Sequence, residues 1–310
     1  MEEWTRTHML GIKALPREEI EAIFSLAKSF QEISTREVKK VPALRGKTLI
    51  NLFFENSTRT RTSFELAAKR LSADVVNFSA SSSSLAKGET IIDTVKNLEA
   101  YHPDIFVIRV GSSAALYALT QHTEASIVNA GDGRNEHPTQ ALLDMFTVSQ
   151  QLGSCEKLKV LIVGDILHSR VARSNMFGFR KFASQIILCG PPSLVPFDCA
   201  EEGIRVEYDL DAAVESADVI IMLRVQQERQ TSAFFPSLRE YSKNYALTPR
   251  RLARARKDAL VLHPGPVNWD VEIHSSLKWR VHPLILKQAE NGLAVRMAVL
   301  FSVGTKKRTL

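Results

Sequence analysis

Cysteine is scarce in this chain. Cys155, Cys189 and Cys199 are odd in number and fall in no CxxC or Cys/His spacing, which argues against a disulfide framework and a zinc site and predicts reduced thiols. Aromatic residues make up only 7% of the total, so no stacking platform for nucleic acid is evident. The net charge of +6 would suit a polyanion, yet the basic residues are scattered apart from short groups at Arg250 to Lys257 and Lys306 to Arg308. Nucleic acid is not an expected partner. Long apolar runs are missing too: nothing approaches the ~20 residues that span a bilayer, and the opening MEEWTRTHMLG carries no signal-peptide pattern. No membrane partner and a cytoplasmic location are therefore expected. A GxGxxG fingerprint is also absent. Gly164 stands alone in IVGDILHSRVARS, which argues against NAD despite the strand, turn and helix pattern around it.

What is present is an α/β alternation. Composition is that of an ordinary globular chain, 45% apolar and 24% charged, and 310 residues are comfortable for two α/β domains. After the amphipathic opening LPREEIEAIFSLAKSF, apolar runs rich in β-branched residues recur: TLINLFF (48–54), DIFVIRV (104–110), SIVNA (126–130), KVLIVG (159–164), QIILCG (185–190), DVIIMLR (218–224) and ALVLHP (259–264). Helical patterns lie between many of them, which predicts mainly parallel sheets flanked by helices, with no repeat of solenoid period. The domain junction falls near the helical pattern PTQALLDMFTVSQQL, and LILKQAENGLAVRMAVLFSVG reads as a terminal helix.

Ligands of open parallel sheets bind beyond the carboxyl ends of the strands. The polar residues that follow the apolar runs are therefore the candidate site. In FFENSTRTRTSFE, Arg59 and Arg61 load positive charge onto a helix start whose unpaired amides are already partly positive. A plain N-cap would account for Ser57 but not for the arginines. The hydroxyls of Ser57, Thr58 and Thr60, the amides and Arg59 together suit a phosphate. Arg109 ends a strand, where a buried guanidinium needs either a carboxylate or a ligand. His137 and Gln140 share the start of the helix in HPTQ and offer a donor for a carbonyl oxygen and an amide for a carbamoyl group. The serine-rich loop FSASSSSLAKGET has the composition of a flexible linker, but Lys87 within it suits a loop that closes on an anion. Arg170, Arg224 and Gln226 supply planar groups for two carboxylates, although one of the arginines could pair with Glu55 or Glu228 instead. HPGP (263–266) is a rigid turn with carbonyls open to an NH2 donor.

STRTR, KGET, HPTQ, RVQQER and HPGP, in this order over nearly the whole chain, resemble the motifs of the catalytic chains of the aspartate carbamoyltransferase family, bacterial type. The resemblance implies two Rossmann-like domains: a carbamoyl-phosphate domain over 1–138 with a returning helix at 289–310, and an aspartate domain over 139–288. It implies transfer of a carbamoyl group from carbamoyl phosphate to L-aspartate, an early step of pyrimidine biosynthesis, with no metal or organic cofactor. Ser57, Thr58, Arg59 and Thr60 would then hold the phosphate, and Thr60, Arg109 and His137 would face the carbonyl oxygen. Gln140 and the carbonyls of Gly265 and Pro266 would orient the NH2. Arg170, Arg224 and Gln226 would take the aspartate carboxylates, while Ser84 and Lys87 enter from a neighbouring subunit of a homotrimer. Glu55 and Arg229 would belong to an interdomain ion network. A regulatory chain or another pyrimidine-pathway enzyme is a further partner the family allows. Trp269 departs from the pattern, standing where many relatives carry arginine. An ornithine carbamoyltransferase is the nearest rival, but it typically has an HCLP motif and an SMG loop. Here Pro264 follows His263, no SMG occurs, and two arginines favour a dicarboxylate. A non-catalytic carbamoyl-phosphate-binding scaffold is the rival of another class; retention of Arg59, Lys87 and His137 speaks against it.

Overall fold

The computed structural model describes residues 4–79, 89–195, 200, 204–225 and 237–305. The chain divides into two compact units, one of residues 1–143 with 290–310 and the other of 144–289. The first break follows Leu143, inside the helix that spans Pro138–Leu152.

The first unit holds a parallel sheet of β1 (Thr48–Phe53), β2 (Asp74–Ser79), β3 (Ile105–Val110) and β4 (Ser126–Asp132), in the order β2-β1-β3-β4. Its helices are α1 (Arg17–Thr35), α2 (Thr58–Arg70), α3 (Ile91–Glu99), α4 (Ala115–Leu119) and the start of α5 (Pro138–Leu152). Burial explains the sequence pattern: β1 is buried from its second residue onward and β4 throughout, so both strands read as continuous apolar runs rather than alternating ones. Helix α1 buries Ile20, Ile23, Ala27, Phe30 and Ile33, a stripe of helical spacing, and has Glu18 and Glu19 in its first turn, where the dipole favours them. Ile50, Leu52, Phe106, Ile108 and Ile127 form the core between the helices and the sheet.

The second unit repeats the plan with β5 (Lys159–Val163), β6 (Gln185–Cys189), β7 (Arg205–Glu207), β8 (Val219–Met222) and β9 (Leu260–Leu262), parallel throughout in the order β7-β6-β5-β8-β9. Here α6 (Arg170–Arg180), α7 (Leu210–Ala213), α8 (Leu238–Tyr245), α9 (Pro249–Leu252) and the start of α10 (Lys278–Gly304) surround the sheet. Leu161, Val163, Ile187, Ile220, Met222 and Val261 are among its buried core. Helix α10 begins at Lys278, ahead of the expected Leu284, and contains Pro283 near its start. Its last part, from Glu290, belongs to the first unit, where Arg296 donates to the Ser63 hydroxyl at 2.8 Å and lies over the Phe64 ring at 5.2 Å.

Each sheet reverses its winding once. In the first, the chain leaves β1 for β2 on one side and then for β3 on the other; in the second, β5 is followed outward by β6 and β7 before β8 pairs on its free edge. The crevices beyond β1/β3 and β5/β8 are the switch points where such sheets bind ligands. Cys155 and Cys189 are buried free thiols. Desolvation, with Glu207 and Asp209 adding to it, pushes the Cys189 thiol up to about 12 and leaves it un-ionised and non-nucleophilic at neutral pH.

The β5 and β6 ends approach closely because neither carries a side chain. A Cβ on Gly190 would lie 2.4 Å from the Gly164 carbonyl oxygen, and Gly164 itself has φ +129° and donates to Cys189 O at 2.8 Å. Gly190→Ala is expected to destabilise the chain by about 2 kcal/mol, read as a lower midpoint of thermal unfolding. An unchanged midpoint would mean that this approach is not needed for the packing.

Candidate active site

In the first unit the site starts at the end of β1. Ser57 is the N-cap of α2, yet its hydroxyl makes no capping bond, and the first turn contains no acidic residue. Arg59 and Thr58 are exposed, while Ser57, Thr60 and Arg61 are half-buried. A helix start that keeps its hydroxyl off its own amides and adds a guanidinium has the donors to take an external anion.

Arg109 is directly across the ladder from Phe53, which brings it to the same edge. Its side chain is only 13% exposed; Nε donates to Glu55 Oε2 at 3.2 Å and Nη1 to Ala130 O at 3.4 Å. A nearly buried guanidinium is thus held by a carboxylate, the first of the two partners the sequence allowed. Arg109 has its structural partner, and the partner is Glu55. Arg229, the expected partner of Glu55, lies outside the described residues.

His137 and Gln140 are 5% and 8% exposed at the start of α5, and the Gln140 amide donates to His137 O at 3.0 Å. The loop that presents them is built around acids overlooked in the motif reading. The carboxylate of Asp132, fully buried, accepts from Asn129 Nδ2 (2.8 Å), the Glu136 amide (3.0 Å), the Ala114 amide (2.8 Å) and Asn135 Nδ2 (2.9 Å). Glu136, next to His137, accepts from the Ile12 amide at 2.6 Å and the Lys13 amide at 3.3 Å. The N-terminal segment therefore anchors the loop, and Met9 bridges to Val128 alongside β4. A Cβ on Gly11 would fall 2.3 Å from Glu136 Oε1, so glycine is needed where the segment passes that acid. The one sequence signal was the density of Asn, Asp, Gly and Glu in NAGDGRNE. Its partners are distant in the chain and invisible to local patterns.

In the second unit Arg170 is the first residue of α6 and 3% exposed, after the N-cap Ser169, whose hydroxyl accepts from the Ala172 amide. Asp165 steadies the turn between β5 and α6: its Oδ1 accepts from the His168 amide at 3.1 Å and lies 2.9 Å from His168 Nδ1. Arg173 is exposed and stacks on Phe177 at 5.3 Å, apart from Arg170. Arg224 follows β8, half-buried, so both arginines flank the β5/β8 crevice. The HPGP turn follows β9. The His263 amide donates to Gln288 Oε1 at 3.1 Å, the Gly265 amide to His263 Nδ1 at 2.8 Å, and Gly265 has φ +66° before a cis peptide to Pro266. Trp269 packs against the second unit's core, its ring 6.2 Å from that of His282 and 5.8 Å from Lys278 Nζ. Ser84, Lys87, Gln226 and Arg229 lie outside the described residues. Among the described residues no cluster of His, Cys, Asp and Glu is arranged to hold a metal, and no helix is long and apolar enough to cross a membrane.

Two family models match the chain: the carbamoyl-P binding domain of aspartate/ornithine carbamoyltransferase over residues 7–150, and the Asp/Orn binding domain over 156–303. The aspartate carbamoyltransferase catalytic subunit of Syntrophus aciditrophicus is 53% identical over 299 residues, 96% of this chain and 97% of that one. The corresponding subunit of Cytophaga hutchinsonii is 50% identical over 307 residues, 99% of this chain and 100% of its own. Among solved structures, aspartate transcarbamoylase of Trypanosoma cruzi in complex with carbamoyl phosphate and aspartate superposes with a TM-score of 0.86 at 30% identity, covering 96% of both chains. The same protein in complex with N-(phosphonacetyl)-L-aspartic acid also gives 0.86.

Asp132→Asn tests whether the buried acid holds the His137 loop. The substitution replaces one acceptor oxygen by a donor that faces other donors, and it is expected to cost about 2 to 3 kcal/mol of stability. Carbamoyl phosphate should bind more weakly in calorimetry, with inorganic phosphate affinity little changed. Wild-type stability with wild-type carbamoyl phosphate affinity would show that the loop does not depend on this acid.

Proposed function

The chain belongs to the aspartate/ornithine carbamoyltransferase family, and from that premise we propose that it transfers the carbamoyl group of carbamoyl phosphate to the α-amine of L-aspartate, giving N-carbamoyl-L-aspartate and phosphate for pyrimidine biosynthesis. The observation that carries the choice of second substrate is the pair Arg170 and Arg224 at the β5/β8 switch point. Two guanidiniums match a dicarboxylate and would repel the side-chain ammonium of ornithine.

In this reading Ser57, Thr58, Arg59, Thr60 and the first amides of α2 hold the phosphate. Thr60, Arg109 and His137 donate to the carbonyl oxygen, while Gln140 and the carbonyls of Gly265 and Pro266 accept from the carbamoyl NH2. The neutral amine of aspartate attacks the carbamoyl carbon, forming a C–N bond as charge gathers on the oxygen. The C–O bond to phosphate then breaks, and the departing phosphate takes the amine's proton. No side chain is needed as a nucleophile. A fixed donor aimed at a developing oxyanion is worth about 3 kcal/mol of barrier, and alignment of two anionic reactants in a cationic cleft contributes further. The salt bridge from Glu55 to Arg109 supports such a role, because it presets the guanidinium before substrate arrives. Gln226 adds to the aspartate grip, and Glu55 with Arg229 contributes to domain closure. The active unit is a cytoplasmic homotrimer in which Ser84 and Lys87 reach the site from the neighbouring subunit.

The direct test is a steady-state assay with carbamoyl phosphate and either L-aspartate or L-ornithine. Carbamoylated product is expected with aspartate alone, and Arg224→Ala should lower kcat/KM for aspartate about 100-fold, about 2.8 kcal/mol. Turnover with ornithine alone would overturn the assignment of the second-substrate pocket. Subunit sharing predicts complementation: Lys87→Ala and Arg59→Ala chains, each nearly inactive, should regain partial activity when mixed, dissociated and reassembled. Hybrids without recovery would argue that each chain holds a complete site.

A further inference from the structure

One buried acid of the second unit has no part in the chemistry above. Glu272 is fully buried, and its carboxylate joins three segments. Oε1 accepts from the Val225 amide at 2.9 Å and from Asn268 Nδ2 at 2.8 Å. Oε2 accepts from the Asn268 amide at 2.7 Å and stands 3.4 Å from Nε2 of His263, whose side chain is equally buried. The Gly265 amide donates to His263 Nδ1, which leaves Nε2 as the ring nitrogen on the side of the carboxylate. The backbone of Glu272 is tied down as well, accepting from the Leu247 amide at 2.8 Å and donating to Asn268 O at 3.2 Å.

Val225 is the residue after Arg224, and His263, Gly265 and Asn268 frame the HPGP turn. We propose that Glu272 is a positioning residue that locks the strand end bearing Arg224 to the turn bearing the Gly265 and Pro266 carbonyls. The proposal rests on the functional reading above, in which the first group grips aspartate and the second orients the carbamoyl NH2. The two grips then shift together. Hydrogen bonds to a buried charged acceptor are among the stronger ones available to a fold, and loss of the charge leaves several amides short of a partner. A hydrophobic contact could hold the two segments near each other but would not set their register as directed bonds do.

The test is Glu272→Gln, with Asn268→Ala as a milder variant that removes only the side-chain amide. For each, thermal unfolding, kcat, the KM for aspartate and the dissociation constant of inorganic phosphate are measured. For Glu272→Gln the expected result is a folded protein with aspartate KM raised about tenfold, kcat lowered about tenfold and phosphate affinity within twofold of wild type. Asn268→Ala should raise aspartate KM about threefold. A purely structural role would lower the active fraction, and so apparent kcat, while leaving aspartate KM unchanged. Folded variants with aspartate KM within 1.5-fold of wild type overturn the proposal. Should Glu272→Gln fail to fold, Asn268→Ala decides by the same criterion. A wild-type chain that does not carbamoylate aspartate would instead overturn the functional reading, and with it the ligand assigned to Arg224, so the two failures are distinguishable.

Discussion

Positive charge collected where helix amides already point is costly unless something negative completes it, and both sheets of this protein concentrate that cost at their carboxyl edges. In the first, Arg59 and the uncapped start of α2 stand beside Arg109; in the second, Arg170 begins α6 and Arg224 follows β8. Parallel winding makes this possible, because every strand delivers its carboxyl end, and the following helix its amino end, to one rim. The protein offsets part of the field internally, through Glu55 on Arg109. Anionic reactants of the kind proposed would add to that compensation, so the same electrostatics would favour their binding.

The buried acids follow a different logic from the arginines. Asp132, Glu136 and Glu272 spend most of their acceptor capacity on backbone and side-chain amides rather than on guanidinium groups. A carboxylate that gathers three or four N–H donors ties separate segments together at charge-assisted strength. Glu55 differs from these three in pairing with a guanidinium, that of Arg109.

Much of this was legible in the sequence, for identifiable reasons. Seven strands announced themselves because they are covered on both faces and so read as unbroken apolar runs. The two missed strands, DVVNFS and RVE, are edge strands, as β4 and β9 are, but more weakly covered than those. β2 leaves Val76 about half exposed and β7 has only three residues, so neither carries the apolar signal of an interior strand. The arginines were legible because a cation at a helix start or strand end demands an explanation from local sequence alone. Asp132, Glu136 and Glu272 were not, because their meaning lies in partners far along the chain: Ile12 is 124 residues from Glu136, and Val225 is 47 from Glu272. A local pattern registers the cost of a charge more readily than the use of one.

Trp269 shows the same limit from the other side. Sequence put only an anchoring role at this position in doubt, and packing supplies what the indole does: a ring set against the core, edge-on to His282 and under the Lys278 ammonium. A cation over a half-buried ring is worth about 0.5 to 1 kcal/mol, comparable with an exposed ion pair. The neighbouring turn needs a fixed anchor, and burial of an aromatic provides one that salt does not screen. Asn268, the residue before the tryptophan, is meanwhile held by Glu272 through both its backbone and its side-chain amide. The carboxylate fixes Asn268 by directed bonds and the indole beside it packs on the core, so the segment after HPGP is held in two different ways.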